Sequence, residues 1–454
     1  MFKTIINAFK IKEIRSRLLF TLACLVVVRI GSNITVPAID SAMLKDWADN
    51  QLTQGLLATL TGGALSTLSI FALSISPYIN AEIIMQLLTL AVPKLEEMQK
   101  DGEDGRQKIQ KISRYLTVVL ALIESTAMAI SFGRSGYFVS GSSYTLRDVA
   151  TVALAFTAGT VFLMWLGDKI TEKGVGNGIS VILLINIVSR LPQDINTLVT
   201  KFVLGQGNES RSGANAVVWG IISAAIIIAI IVGMVALIVL LQDAERRIPV
   251  QYTRKIVGRK QVGGQGSSIP MKVNTSGVLP VIFAMSIMQF PIIIASFFGA
   301  KGMRENGTFG NKLLYLIDQN NWFHLTPEGE FKYTLGVILY IALILFFAYF
   351  YTAVSFNPIE ISNNLKKQGG FIPGIRPGKP TSDYLTSILN RVIFIGAIAL
   401  AIVAILPIFF TGIFDVSVSF AATSIIIVVG VVLETMKQVE SMMAVRHYKG
   451  FLDS

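Results

Sequence analysis

The chain has 454 residues, of which 52% are hydrophobic and only 15% charged, and its mean hydropathy is +0.62. Soluble domains carry about 25% charged residues, so this composition argues against an ordinary soluble enzyme of two or three domains. The formal net charge of +11 follows a membrane topology pattern, described below, and is no evidence by itself for nucleic acid.

Ten apolar runs occur, at about 18–34, 69–92, 115–133, 150–167, 178–200, 215–241, 277–300, 335–355, 385–410 and 417–436. Each can cross a hydrocarbon core of roughly 30 Å, which takes about 20 helical residues. Helices are predicted because backbone polar groups in lipid must be satisfied within each segment. The runs are too long and too uniformly apolar for the alternating strands of a barrel. The first lacks a small-x-small cleavage site and nine more runs follow it, so it is expected to stay as a span rather than leave as a signal peptide. It contains the single cysteine, Cys24, which reads as a small packing residue and excludes a disulfide within the chain.

Between the first two spans, residues 52–68 are mildly apolar, small and glycine-bearing (LTQGLLATLTGGALSTL). They are too polar to span alone. A short re-entrant helix is predicted, since irregular backbone at membrane depth survives only where protein or a water-filled cavity surrounds it. Further along, Asp101-Gly-Glu-Asp-Gly-Arg106 reads as a solvated turn without the spacing of a calcium loop. Gly174-Val-Gly-Asn-Gly178 reads as a tight turn between two spans, since it lacks the Lys-Ser/Thr of a phosphate loop. Residues 201–214 form a polar external linker, and 301–332 the largest external excursion.

Two long basic loops follow. Loop 242–276 carries Arg246, Arg247, Arg254, Lys255 and Arg259, and loop 356–384 carries Arg376 within Phe371-Ile-Pro-Gly-Ile-Arg-Pro-Gly378. Their prolines and glycines oppose regular helix and favour fixed turns. Alternating the loops between sides puts 27 Lys and Arg on the side of both termini and 10 on the other, with Arg29 and Arg391 inside spans. By the positive-inside rule both termini are cytoplasmic. The domain division expected is 1–200 as an N-terminal half, 201–214 as linker, 215–436 as a C-terminal half and 437–454 as a cytoplasmic tail. Five spans per half is an odd number, so the halves would be inverted relative to one another.

Catalytic chemistry is poorly supported. The two histidines, His324 and His447, lie in an external loop and in the tail, and no HExxH, GxSxG or Walker A pattern occurs. No metal or cofactor is expected, and any work would be driven by a partner or a gradient. Polar groups in or near spans (Arg29, Glu82, Gln86, Glu124, Arg391 and Glu434) are functional candidates by default. A secondary transporter would instead need convergent polar residues at the midplane, and a membrane protease would need a catalytic dyad.

Along nearly its whole length the chain resembles the SecY family. The resemblance rests on Arg29-Ile-Gly-Ser-Asn-Ile-Thr-Val-Pro-Ala-Ile-Asp40, Gly62-Gly-Ala-Leu-Ser66, Ser69-Ile-Phe-Ala-Leu73 and Pro77-Tyr-Ile79. It continues through Gln86-Leu-Leu-Thr89, Met164-Trp-Leu-Gly167, Gly174 to Ser180, Arg246-Arg-Ile248, Leu279-Pro280, Phe356-Asn-Pro358, Asn364-Leu-Lys-Lys367 and Phe371 to Gly378. Such a resemblance implies an all-α polytopic membrane protein of ten transmembrane helices, in two inverted five-helix halves forming an hourglass channel with a plug helix. Its implied function is to move unfolded secretory polypeptides across the bacterial cytoplasmic membrane and to release transmembrane segments sideways into lipid.

By that resemblance the pore constriction comprises Ile75, Ile79, Ile179, Leu183, Ile282 and Ile427, with Leu183 departing from the usual isoleucine. A ring of branched aliphatic side chains dewets and blocks ions yet yields around a passing chain. The plug would include Leu60, Gly62, Gly63 and Leu65. The lateral gate, between the second and seventh spans, would include Glu82, Gln86 and Ser286. Glu82 stands where a small or hydroxyl residue is usual, and it is expected to face the aqueous funnel or a partner and to affect gate opening. Arg376, Arg246, Arg247, Arg254, Lys255 and Arg259 would dock the SecA ATPase or the ribosome, whose RNA attracts basic side chains through phosphate. The remaining implied partners are SecE-like and SecG-like small subunits, preproteins bearing signal sequences, and lipids.

Overall fold

A computed structural model describes residues 2–39, 61–65, 67–139, 145–200, 214–252, 255–257, 260–262, 267–275, 277–297, 309–317, 322–325, 331–333, 335–414 and 424–449. A short helix α1 (Phe2–Lys10) precedes α2 (Lys12–Gly31), α3 (Ser76–Ala91), α4 (Pro93–Lys100), α5 (Glu103–Ser135), α6 (Leu146–Lys173) and α7 (Gly178–Leu198). Then come α8 (Ala214–Asp243), β1 (Glu245–Tyr252), β2 (Lys255–Val257), β3 (Lys260–Val262), β4 (Ser267–Lys272), α9 (Leu279–Phe297) and α10 (Phe309–Ile317). The chain continues through β5 (Phe323–Leu325), β6 (Phe331–Tyr333), α11 (Leu335–Ser355), α12 (Pro358–Lys367), β7 (Gly370–Phe371), α13 (Lys379–Phe414) and α14 (Ser424–Lys449).

Each of the ten apolar runs lies largely on a helix of this series: α2, α3, α5, α6, α7, α8, α9, α11, α13 and α14. Among the described residues five helices are long and apolar enough by themselves to cross a membrane, and two further apolar helices are shorter. Several helices outrun their apolar runs into polar sequence. α5 begins at Glu103, which places Glu103 and Asp104 in its first turn, where carboxylates complement the positive end of the helix dipole. The Asp101–Arg106 stretch is therefore a turn only at its start.

The second span differs from its apolar run. The run starts at 69, but residues 69–75 are turns and α3 starts at Ser76. Leu68 and Ser74 both take positive φ, and Pro77 fills the first turn of α3, where its missing N–H costs nothing. This irregular stretch is nonetheless interior: Leu65, Leu68, Phe71, Ala72 and Leu73 are buried against α2, α5 and α6. Its backbone is satisfied by its surroundings, with Val36 N–H bonding the Leu68 carbonyl and Ile70 N–H the Ile34 carbonyl.

The turn between α6 and α7 is closed by side chains. Val175 N–H donates to Thr21 Oγ1 (3.1 Å), Gly176 N–H to Gln438 Oε1 (2.7 Å) and Gly178 N–H to Thr171 Oγ1 (2.8 Å). These glycine-rich amides are thus occupied by the protein itself, as a structural turn requires. Val175 also packs with Ala8, Ile14 and Val439, so α1, the end of α14 and this turn share one face of the molecule.

The two basic loops are more regular than their prolines suggest. β4, β1 and β7 form a three-stranded sheet in that order, with Ile248 opposite Ile269 and Gln251 opposite Phe371. Ile248 and Val250 alternate inward onto Leu365, Leu385 and Leu389, while Arg247, Pro249 and Gln251 face outward. β7 pairs only with Gln251 and Tyr252, so beside Pro249 the β7-side edge of β1 carries no partner strand among the described residues. Within loop 356–384, residues 358–367 are helical, started by Asn357 capping Ile359 and by Pro358 at the first position.

Candidate functional site

The largest apolar cluster draws on both ends of the sequence. Ile79 and Ile83 of α3 and Val181, Leu183 and Ile187 of α7 pack with residues 281–285 of α9, with α11 and α13, and with Ile425, Ile426 and Ile427 of α14. Four of the six residues assigned to the constriction, Ile79, Leu183, Ile282 and Ile427, therefore meet in one cluster, each less than a tenth exposed. The other two, Ile75 and Ile179, belong to the neighbouring cluster with Cys24, Tyr78 and Leu166. A centre of this kind offers no fixed hydrogen bonds to a substrate and favours no particular sequence.

Helices on the two sides of this centre meet along two seams, α7 against α14 and α9 against α5. The residues assigned to the lateral gate lie beside the second. Gln86 of α3 accepts a hydrogen bond from the Tyr351 hydroxyl of α11, which joins the two groups of helices through a polar contact in apolar surroundings. Phe283 of α9 packs on Tyr351 with ring centroids 5.2 Å apart. Glu82 is half-buried one turn before Gln86 and acts electrostatically on both Tyr78 and Tyr351. Ser286 of α9 is half-buried. Nearby, Arg114 of α5 pairs with Asp168 of α6 at 2.9 Å, and Asn80 donates to the buried Glu124 at 3.2 Å.

Of the residues assigned to the plug, Leu60 lies outside the described residues, as do 52–59. Gly62, Gly63 and Leu65 belong to a run of turns packed into the bundle. Gly62 has φ +63, and a Cβ there would come within 2.8 Å of the Asn186 backbone, so glycine is required by both space and conformation. Arg29 Nη1, in the last turn of α2, donates to the Gly62 carbonyl at 3.3 Å.

The basic residues divide. Arg254 and Arg259 lie outside the described residues, and Lys255 is placed only as backbone in β2. Arg246 is exposed opposite Met271. Arg247 is tied to Glu245 of its own strand, with Nε–Oε1 2.7 Å and Nη2–Oε1 2.6 Å. Arg376 is exposed on a fixed backbone: its carbonyl accepts from Thr381 Oγ1 at 2.8 Å, and Ile375 N–H bonds the Ile372 carbonyl at 3.0 Å.

Sequence reasoning missed Tyr351, Asn186 and the Arg114–Asp168 pair. Tyr351 sits in the aromatic stretch Phe346–Tyr351, where the composition signals packing and only the fold supplies Gln86. Asn186 was legible as the one amide within an aliphatic run.

Ten apolar helices enclosing a dry aliphatic centre, with a basic platform on one face, define a polytopic membrane channel. The family model described as SecY matches residues 69–436, and the protein translocase subunit SecY of Halalkalibacterium halodurans is 42% identical over 100% of both chains. This chain belongs to the SecY family. Its fold is that of solved protein-conducting channels: one aligns over 94% of this chain and 92% of that chain with a TM-score of 0.60 at 19% identity. Sec61 from a canine ribosome-channel complex aligns over the same shares with a TM-score of 0.55 at 18% identity.

Proposed function

We propose that this chain is the pore subunit of a channel that carries unfolded polypeptides across the bacterial cytoplasmic membrane and releases transmembrane segments into lipid. The observation that carries this reading is the cluster of Ile79, Leu183, Ile282 and Ile427 at the meeting of four helices. Aliphatic side chains exclude water and ions when packed, and they separate around a chain of any sequence. The division into halves 1–200 and 215–436 fits the two seams, and the lateral exit lies between the second and seventh spans, α3 and α9, beside the Gln86–Tyr351 bond that joins α3 to α11. Glu82 faces that exit and tunes its opening.

Both termini lie in the cytoplasm. The shared packing of α1, α14 and the 174–176 turn supports this, together with the 27 basic residues on that side. Arg376 and Arg246 form the docking surface for a SecA-type motor or a ribosome. The canine relative is a ribosome-bound channel, which supports the second partner. SecE-like and SecG-like subunits complete the complex, which draws its energy from the motor and works as a channel rather than an enzyme.

The test is translocation in proteoliposomes holding the complex and a SecA motor. Protease protection of a signal-bearing preprotein should depend on ATP and be lost in Arg376→Glu. Protection in both would remove Arg376 from the mechanism. Failure in both, beside a working translocon, would reject the channel reading in favour of a transporter.

A further inference from the structure

Ser74 is an outlier. It has φ +51, a conformation uncommon for any residue but glycine, and it is 2% exposed. Such a conformation persists only where the surroundings hold it. Two contacts meet it here: Ser74 N–H bonds the Phe71 carbonyl at 2.8 Å, and Asn186 Nδ2, on α7, donates to Ser74 Oγ at 3.1 Å. Asn186 is itself 2% exposed. The next residue after Ser74 is Ile75, from which the N-terminus of α3 and Ile79 follow.

Asn186 also meets the other end of the irregular segment. Its Cα and carbonyl oxygen stand 2.8 Å from where a Gly62 Cβ would be, and the Gly62 carbonyl is held by Arg29. Ser189 Oγ, one turn further along α7, donates to the Asn186 carbonyl at 2.7 Å and also lies 3.3 Å from the Gly62 carbonyl. Asn186 therefore meets both ends of the stretch that leads into the constriction, Ser74 through its side-chain amide and Gly62 through its backbone.

We propose that Asn186 is a positioning residue for the constriction: by clamping Ser74 it sets where Ile75 and Ile79 sit, and so whether the idle channel is sealed. The inference rests on the constriction reading above. Its chemistry is specific. A glycine at position 74 adopts φ +51 without support, whereas serine or alanine needs the clamp.

The experiment is idle ion conductance of the whole reconstituted complex in planar bilayers. Asn186→Leu should raise conductance about tenfold, the population change that loss of one buried hydrogen bond produces in a two-state equilibrium. The double variant Asn186→Leu, Ser74→Gly should return it to the wild-type level, a rescue that a merely structural role of Asn186 would not give. If Asn186→Leu fails to assemble, Ser74→Ala against Ser74→Gly decides: the alanine variant should leak and the glycine variant seal. A tight Asn186→Leu channel, or a leak that Ser74→Gly leaves in place, or equal behaviour of the two position-74 variants overturns the proposal. Leu183→Asn, which wets the ring directly, separates the two levels. If it too is tight, the constriction reading falls; if it leaks while Asn186→Leu is tight, only the role of Asn186 falls.

Discussion

Gly178 opens α7 with its backbone against the Gly167 carbonyl of α6, where any Cβ would overlap that oxygen. Gly178→Ala should cost about 1–3 kcal/mol by overpacking, seen as a lower unfolding temperature of the detergent-solubilised complex; an unchanged temperature would mean that the two helices part freely. The Tyr351–Gln86 bond has a different signature. Tyr351→Phe keeps the ring against Phe283 but removes the donor to the half-buried Gln86 amide oxygen, a loss of roughly 0.5–1.5 kcal/mol. Gln86→Leu combined with it should cost less than the two single losses together, with a coupling of about 0.5–3 kcal/mol. A cycle returning no coupling would show that the two side chains do not share a bond. Such pairings are illegible in sequence, because 265 positions separate the partners and each alone looks like a tolerated polar group in a span. Gly62 and Gly63 stood out in sequence as glycines, but the need at Gly62 is set by the Asn186 backbone, which only the fold brings near.

At the scale of elements, the helices were legible because an apolar run of twenty or so residues leaves few alternatives in lipid. Their ends were less so. Residues 69–75 are as apolar as a span, and hydropathy cannot register that Leu68 and Ser74 take positive φ. The sheet joining the two basic loops escaped notice because its strands are short and Pro249 and Pro270 interrupt them. α3 is the element on which function concentrates, since it carries Ile79, Glu82 and Gln86 along successive turns. Glu82→Ser should change idle leak or acceptance of weak signal sequences, because the half-buried carboxylate sits one turn from both Ile79 and Gln86 on α3. Unaltered leak together with unaltered selectivity would end that assignment.

For the whole molecule, the count of ten spans pointed to inverted halves and the charge asymmetry to the side of the termini, while the two unequal helix seams came only from packing. The basic sheet gives a further contrast. Arg246→Glu should weaken motor or ribosome binding, measured by co-sedimentation, and more so at low salt, since exposed charges interact over a Debye length of about 10 Å at 0.1 M. Arg247→Glu should weaken it less, because that guanidinium already serves Glu245; equal losses would argue that the surface is read only by its net charge. The same sheet bears on how the protein is made. β4 arrives soon after β1, but β7 pairs with Gln251 and Tyr252 from about 120 residues further along the chain. At about 5–20 residues per second, the far edge of β1 waits on the order of 10 s while α9 and α11 are inserted. Nascent chains halted between β4 and β7 would expose that edge to proteases and chaperones, and completion of β7 would mark the moment at which this sheet first becomes a finished surface.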